Sequence, residues 1–166
     1  MIYYSYFWLN QNLMEIFMKK LVAVFALTFL VMSSAFAGGQ IVDCKDRRGN
    51  ILDKNLDTLN QVRKSKANRP QVYVEGQVTK VLPEDKDGRP HQKYVIQAFD
   101  SVKIVVVSNL EFGRVPVKVG ESVSVCGEYL NAEGGMVHWT HFDPHGGHPD
   151  GFTVYNGTLY GDEEIN

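Results

Sequence analysis

The chain has 166 residues, with 17 Lys and Arg against 19 Asp and Glu, a formal net charge of −2, and five histidines. That balance argues against nucleic acid as a partner, because no excess of cations is available for counterion release along a phosphate backbone. The two cysteines, Cys44 and Cys126, lack the paired spacing of a thiolate zinc site.

Residues 1–37 read as an N-terminal extension and a cleavable signal peptide. Lys19 and Lys20 precede an apolar run over 21–32, broken only by Thr28, and Ser33-Ser34-Ala35-Phe36-Ala37 follows. This is a basic region, an apolar core and a small-residue cleavage site, with cutting expected after Ala37. The lysines and the short core argue against an uncleaved anchor, so no stable membrane anchor is expected after processing. The aromatic stretch Ile2 to Trp8 has no hydrophobic period. Met18-Lys19-Lys20 opens as signal peptides do, so either Met1 or Met18 is the start. Removing 1–37 leaves 15 Lys and Arg against 18 Asp and Glu, in a length suited to one domain.

Residues 38–54 form an N-terminal segment carrying Cys44. In an oxidising compartment Cys44 and Cys126 form a disulfide, stabilising by roughly 2 to 4 kcal/mol, or Cys126 stays a free buried thiol. Cations at Lys45, Arg47, Arg48, Arg63, Lys64, Lys66 and Arg69 make either a local basic patch or solvated charge on a helix and its lead-in. From Asn55, Leu56, Leu59 and Val62 recur at helical spacing, and Arg69-Pro70 ends the run.

After Pro70 the period becomes two. Val72, Val74, Gly76, Val78, Lys80 and Leu82 share one face of a long first strand, with Gly76 expected at a bend or bulge. Residues 83–90 are a polar loop, and 91–99 and 102–108 are the second and third strands, the third buried on both faces. A connector over 109–121 leads to a fourth strand at 122–130. A turn at 131–135 and a fifth strand at 136–140 come next. Residues 152–160, interrupted by Asn156-Gly157, read as a terminal hairpin. The predicted class is all-β: a small five-stranded Greek-key barrel of the oligonucleotide/oligosaccharide-binding (OB) type, with one N-terminal helix. Helix and barrel occupy 55–161, and 162–166 is an acidic tail.

Four of the five histidines, His138, His141, His145 and His148, fall within residues 134–151 beside Asp143 and Asp150. Imidazole titrates near neutral pH and ligates transition metals, so such density calls for a reason. Alternation places Met136, His138 and Thr140 on one face of the fifth strand and Val137 and Trp139 on the other. His138 and His141 then diverge unless the chain bends, as Asp143-Pro144 would allow.

The cluster admits three readings. His138, His141 and His148 hold Zn²⁺ or another divalent metal, with Asp143 or Asp150 as an oxygen ligand. Such a metal activates water, with Asp143, Asp150 or Glu128 as general base. Or His138, Thr140, His141 and Asp143 form a hydrogen-bonded network that shapes a glycine-rich loop. Beyond the box, His91 reads as an exposed residue at a strand start. Tyr73, Tyr94, Phe99 and Phe112 are core aromatics or a stacking platform.

The elements Gly127-Glu128-Tyr129, His138-Trp139-Thr140-His141 and Asp143-Pro144 with His148 resemble a family of small exported bacterial proteins of unknown function. The resemblance runs from about Leu56 to Tyr160 and includes the lead-in Val115-Pro116-Val117-Lys118-Val119-Gly120. It implies export and an OB-like barrel, and no particular activity, cofactor or partner. Phe142 and His145 depart from the family pattern, which contracts the shared set to His138, Thr140, His141, Asp143 and His148.

The sequence therefore predicts a periplasmic or secreted binding module for an unknown small molecule or macromolecule. Its ligand site is His138, Thr140, His141, Asp143 and His148. The alternative is a metal-dependent hydrolase acting on phosphodiesters or nucleotides.

Overall fold

The structure, a computed structural model, describes residues 42–54, 56–65, 69–85, 88–98, 102–132 and 134–162. The expectations for the leader and start site, for Phe99 and for most of the acidic tail lie outside the described residues. No helix among the described residues is long and apolar enough to cross a membrane.

One short helix, α1 (Leu56–Lys64), precedes seven strands in a single sheet. These are β1 (Gln71–Asp85), β2 (His91–Ala98), β3 (Val102–Asn109), β4 (Ser122–Leu130), β5 (Met136–His138), β6 (Phe152–Tyr155) and β7 (Thr158–Tyr160). Five of them close a barrel-like ring. β1 pairs with β2, β2 with β3, β3 with β5, β5 with β4, and β4 returns to β1. All these pairs are antiparallel except β3–β5, which is parallel. The 15 residues of β1 make closure possible, because Gln71–Gln77 pair with β4 while Gly76–Asp85 pair with β2.

Strand alternation fills the ring. Val72, Val74, Val78, Tyr94, Ile96, Ile104, Val106, Val123, Val125, Tyr129 and Val137 point inward and pack with Leu59 of α1. In β3, Ile104, Val106 and Val107 are buried but Val105 is only half-buried, so the burial on both faces expected from the continuous apolar run is partial. A smaller apolar cluster lies on the outer face of β4, where Cys44, Cys126 and Phe152 pack with Leu52 and Tyr73. Cys44 and Cys126 form a disulfide with Cα atoms 5.7 Å apart, pinning the N-terminal segment to β4.

Three details differ from expectation. The register of β1 against β2 shifts between Val78 and Lys80, so Lys80 is exposed rather than on the core face with Val78. Gly76 does not mark that shift. It marks a close approach, since a Cβ there would lie 2.7 Å from the Gln97 carbonyl oxygen. Finally, β5 ends at His138, two residues early, because Trp139 adopts φ 54°. That left-handed residue turns the chain before Asp143-Pro144, the bend expected from sequence.

The terminal hairpin folds as Asn156-Gly157 predicts. Both residues have positive φ, 50° and 77°, as a two-residue turn between right-twisted strands requires.

Candidate functional site

The loop 139–151 leaves the sheet where one edge of β4 is divided between two partners. Val123–Cys126 pair with β6 and Glu128–Leu130 pair with β5, so Gly127 sits at the fork. The turning backbone lies directly on glycines there. A Cβ on Gly127 would stand 2.5 Å from the His138 carbonyl oxygen, and one on Gly151 only 2.0 Å from that of Trp139. One on Gly161 would meet the Thr140 carbonyl oxygen at 2.5 Å. Three glycines thus form the bed on which residues 138–140 turn, and they permit the positive φ of Trp139.

Past the turn, Thr140 anchors the loop. Its buried hydroxyl donates to the Val107 carbonyl at 3.2 Å and bonds the Ser108 hydroxyl at 3.0 Å. Phe142 N–H donates to the Gly161 carbonyl, and Gly151 N–H to that of His141. Asp143 organises the remainder of the loop. Its two carboxylate oxygens accept from the N–H groups of His145 and His148, at 2.9 and 2.8 Å, while its own N–H donates to Asp150 Oδ1. The bond from His148 N–H is the main cause holding the Asp143 carboxyl below the ordinary carboxylate range. Thr140 and Asp143 thus hold the loop by hydrogen bonds, while His138, the fourth member of the network that was one of the three readings, makes ring contacts instead.

The turn gathers rings into a continuous chain. Phe112 stacks on His141 at 4.0 Å between centroids, and His141 meets His148 edge-on at 4.9 Å. His148 stacks on Trp139 at 4.4 Å, Trp139 touches His138 at 4.6 Å, and His138 meets His91 at 5.4 Å. Trp139 therefore sits among the histidines instead of on the core face with Val137. It joins His138 to the His141–His148 pair.

Two of these imidazoles are oriented alike. His141 Nδ1 lies 2.7 Å from the Phe142 carbonyl oxygen, and His148 Nδ1 lies 2.8 Å from that of Pro149. A carbonyl oxygen only accepts, so Nδ1 carries the proton in each ring. In the neutral ring Nε2 then presents a lone pair. His141 is only 7 % exposed, and its Nε2 has no hydrogen-bonding partner. His148 Nε2 stands 3.8 Å from Asp143 Oδ2. Burial is the main cause that pushes the pKa of His141 down, and it takes His138 down to about 4, with the neighbouring histidines adding to the effect. Both rings are therefore neutral at pH 7.

A cavity of about 310 Å³ opens between this loop and a 3-10 turn at Leu110–Phe112, lined by Arg89, Glu111, Phe112, Trp139, His141 and His148 among others. A second, wider hollow of about 850 Å³ lies across the loop, against the N-terminal segment.

Of the predicted site residues, His141, Asp143 and His148 share the smaller cavity. His138 belongs to the ring chain but does not line it, and Thr140 is spent on β3. His145 is exposed. Among the described residues, no three His, Cys, Asp or Glu side chains are gathered as a ligand set for a metal ion. Glu128 is fully buried, with Oε1 2.9 Å from Arg47 Nη2, while Oε2 has no partner. Arg47, read from sequence as part of either a basic patch or solvated charge, is thus paired. Two of the aromatics read as core or stacking platform lie apart among the described residues. Tyr94 points into the ring, its pKa raised to about 12 by burial, while Tyr73 packs on Phe152 outside it.

Sequence reasoning missed Arg89, His91, Glu111 and Phe112 as members of this region. Their signal lies only in tertiary placement, since β2 and the end of β3 bring them beside the loop.

Together these features define a mostly β domain with a five-strand ring and an imidazole-lined loop at its edge. The chain belongs to the protein family of unknown function DUF3465, whose model matches residues 49–161. No curated protein matches the chain.

Proposed function

We propose that this protein is an exported binding module, built on an OB-like barrel, whose ligand enters the cavity between the 139–151 loop and the 3-10 turn. The carrying observation is His141 Nε2, a buried acceptor without a partner on a residue that lines the cavity. Leaving such an atom unpaired costs about 1 to 3 kcal/mol, which a ligand atom facing it would recover. The half-buried aromatic walls Trp139 and Phe112 supply apolar contact, as small-molecule sites usually have.

Strand order supports the OB-like reading, since a ring closing 1-2-3-5-4-1 with parallel β3–β5 fits that barrel type. The Cys44–Cys126 disulfide supports a periplasmic or secreted location, because such bonds persist where the medium is oxidising. The partner is a small molecule rather than nucleic acid, since the cavity is small and the chain has no excess of cations. Asp143, His148 and His141 are its contacts, and Thr140 and His138 hold them in place.

NMR of the uniformly labelled chain with small hydroxylated and aromatic probes (hexoses, nucleosides, phenol, indole) tests this. The expected result is shifts confined to Trp139, His141, His148, Phe112 and Arg89 for at least one probe, and lost in His141→Ala. Shifts elsewhere, or none with any probe, would overturn it. Turnover of a phosphodiester or nucleotide on adding Zn²⁺, Mn²⁺ or Mg²⁺ would replace it with the hydrolase reading.

A further inference from the structure

We infer that the ligand of this cavity is a small organic cation, a protonated primary amine on an aromatic or apolar body, whose ammonium group is received by the imidazole and carboxylate acceptors of the cavity wall. The inference rests on the cavity being the binding site and names the class of molecule that it takes.

The titratable side chains of the wall present acceptors. His141 donates from Nδ1 to the Phe142 carbonyl and His148 from Nδ1 to that of Pro149, so each neutral ring offers only a lone pair at Nε2. The lone pair of His141 has no partner and belongs to a buried residue. Asp143 adds a carboxylate, held below the ordinary range chiefly by the His148 N–H and therefore ionised at neutral pH. Its Oδ2 accepts that N–H and keeps a second lone pair. Glu111 adds another carboxylate from the facing 3-10 turn. An ammonium group is the complement of such a wall, with three N–H donors and no acceptor.

One spacing matches it directly. His148 Nε2 and Asp143 Oδ2 stand 3.8 Å apart, and in the neutral ring both are acceptors, which cannot bond one another. A single ammonium nitrogen reaches two atoms at that separation with hydrogen bonds of about 2.9 Å to each. His141 Nε2 is a separate acceptor, open to another N–H of the ligand.

Charge then selects among donors. The two carboxylates outnumber the one arginine among the described residues of the wall, which favours a cation and opposes an anion. A neutral hydroxyl donates to the same lone pairs but gains nothing from the carboxylate charge. Trp139 and Phe112, half-buried in the wall, attract a cation through their rings and supply apolar contact for its body. Arg89 is the resident cation. Its side chain is 73 % exposed and lies 3.5 Å from Glu111, so it competes with the ligand for that carboxylate.

Titration of the chain with benzylamine, benzyl alcohol and benzoate, followed by NMR at pH 8, tests the inference, since a primary amine is still protonated there. Benzylamine is expected to shift Trp139, Phe112 and His141, with benzyl alcohol at least tenfold weaker and benzoate weaker still. This comparison uses the unmutated chain and does not depend on a variant folding. Arg89→Gln should tighten benzylamine severalfold by removing the competing cation, and Glu111→Gln should weaken it. His141→Phe, which keeps a ring against Phe112 and removes the acceptor, should weaken it at least tenfold. Benzyl alcohol or benzoate binding as tightly as benzylamine, or Arg89→Gln weakening the amine, would overturn the inference. If phenol, indole or a sugar still maps to the cavity in that case, the binding-module reading stands and only the ligand class falls. If no probe maps there up to about 10 mM, both fall.

Discussion

His138 illustrates how a neutral imidazole ties stability to pH. In the folded chain it titrates at about 4, below its ordinary 6.5, first because it is buried and then because His91, His141 and His148 surround it. The unfolded chain therefore takes up the proton first as pH falls. The stability contributed is complete above about pH 6.5 and is lost as pH drops through 6 towards 4. His141, shifted in the same direction, adds to this. We expect about 2 kcal/mol to be lost across that window, less than the full shift implies because His138 is partly in solvent. Urea unfolding followed at pH 7, 5.5 and 4 measures it, and His138→Phe should flatten the slope. A stability that holds level from pH 7 to 4 would contradict the burial of these rings.

At the scale of the element, the site depends on β5 being short. β5 pairs with β3 on one side and with the end of β4 on the other, and its three residues exhaust that pairing. The left-handed turn at Trp139 and the glycine bed at 127, 151 and 161 then set the path of the loop. Gly151→Ala is expected to cost about 3 kcal/mol or more, because its Cβ would sit 2.0 Å from one backbone oxygen and 2.8 Å from another. Gly146→Ala is the control. It has φ 68° with open space around the added Cβ, and should cost about 1 kcal/mol from conformation alone. Thermal unfolding of the two variants compares them, and equal losses would count against the bed.

At the scale of the whole molecule, the disulfide fastens the N-terminal segment to the ring across 82 residues of chain. Closing so long a loop in the unfolded state is worth roughly 4 kcal/mol. Reduction is therefore expected to lower the melting temperature by more than about ten degrees for a domain of this size. It should also free Arg47, which bridges Glu128 and reaches the Gly147 carbonyl at 3.4 Å, and so loosen the loop from its outer side. Calorimetry with and without reductant, together with exchange of the Gly147–His148 amides, checks both. A melting temperature unaffected by reductant would remove the strap.

Much of the framework was legible in the residues. Alternation located β1, β2, β3 and β4 to within a few residues, because a half-buried strand must place apolar side chains at every second position. Asn156-Gly157 announced its hairpin for a similarly local reason. The density of histidine marked the loop in which the rings gather. The direction of each imidazole depended on contacts that no spacing encodes. Trp139 turns left-handed because Gly127, Gly151 and Gly161, distant in sequence, leave room for its backbone. His91 and Phe112 join the rings because β2 and β3 run beside the loop. The pairing of Cys44 with Cys126, open between disulfide and free thiol in the residues, was decided by the packing of the N-terminal segment on β4. The sequence alone determined strand period, turn chemistry and the place of the histidines, since these depend on neighbours along the chain. Only the tertiary structure decided which side chains line one cavity, since that depends on backbones brought together across the ring.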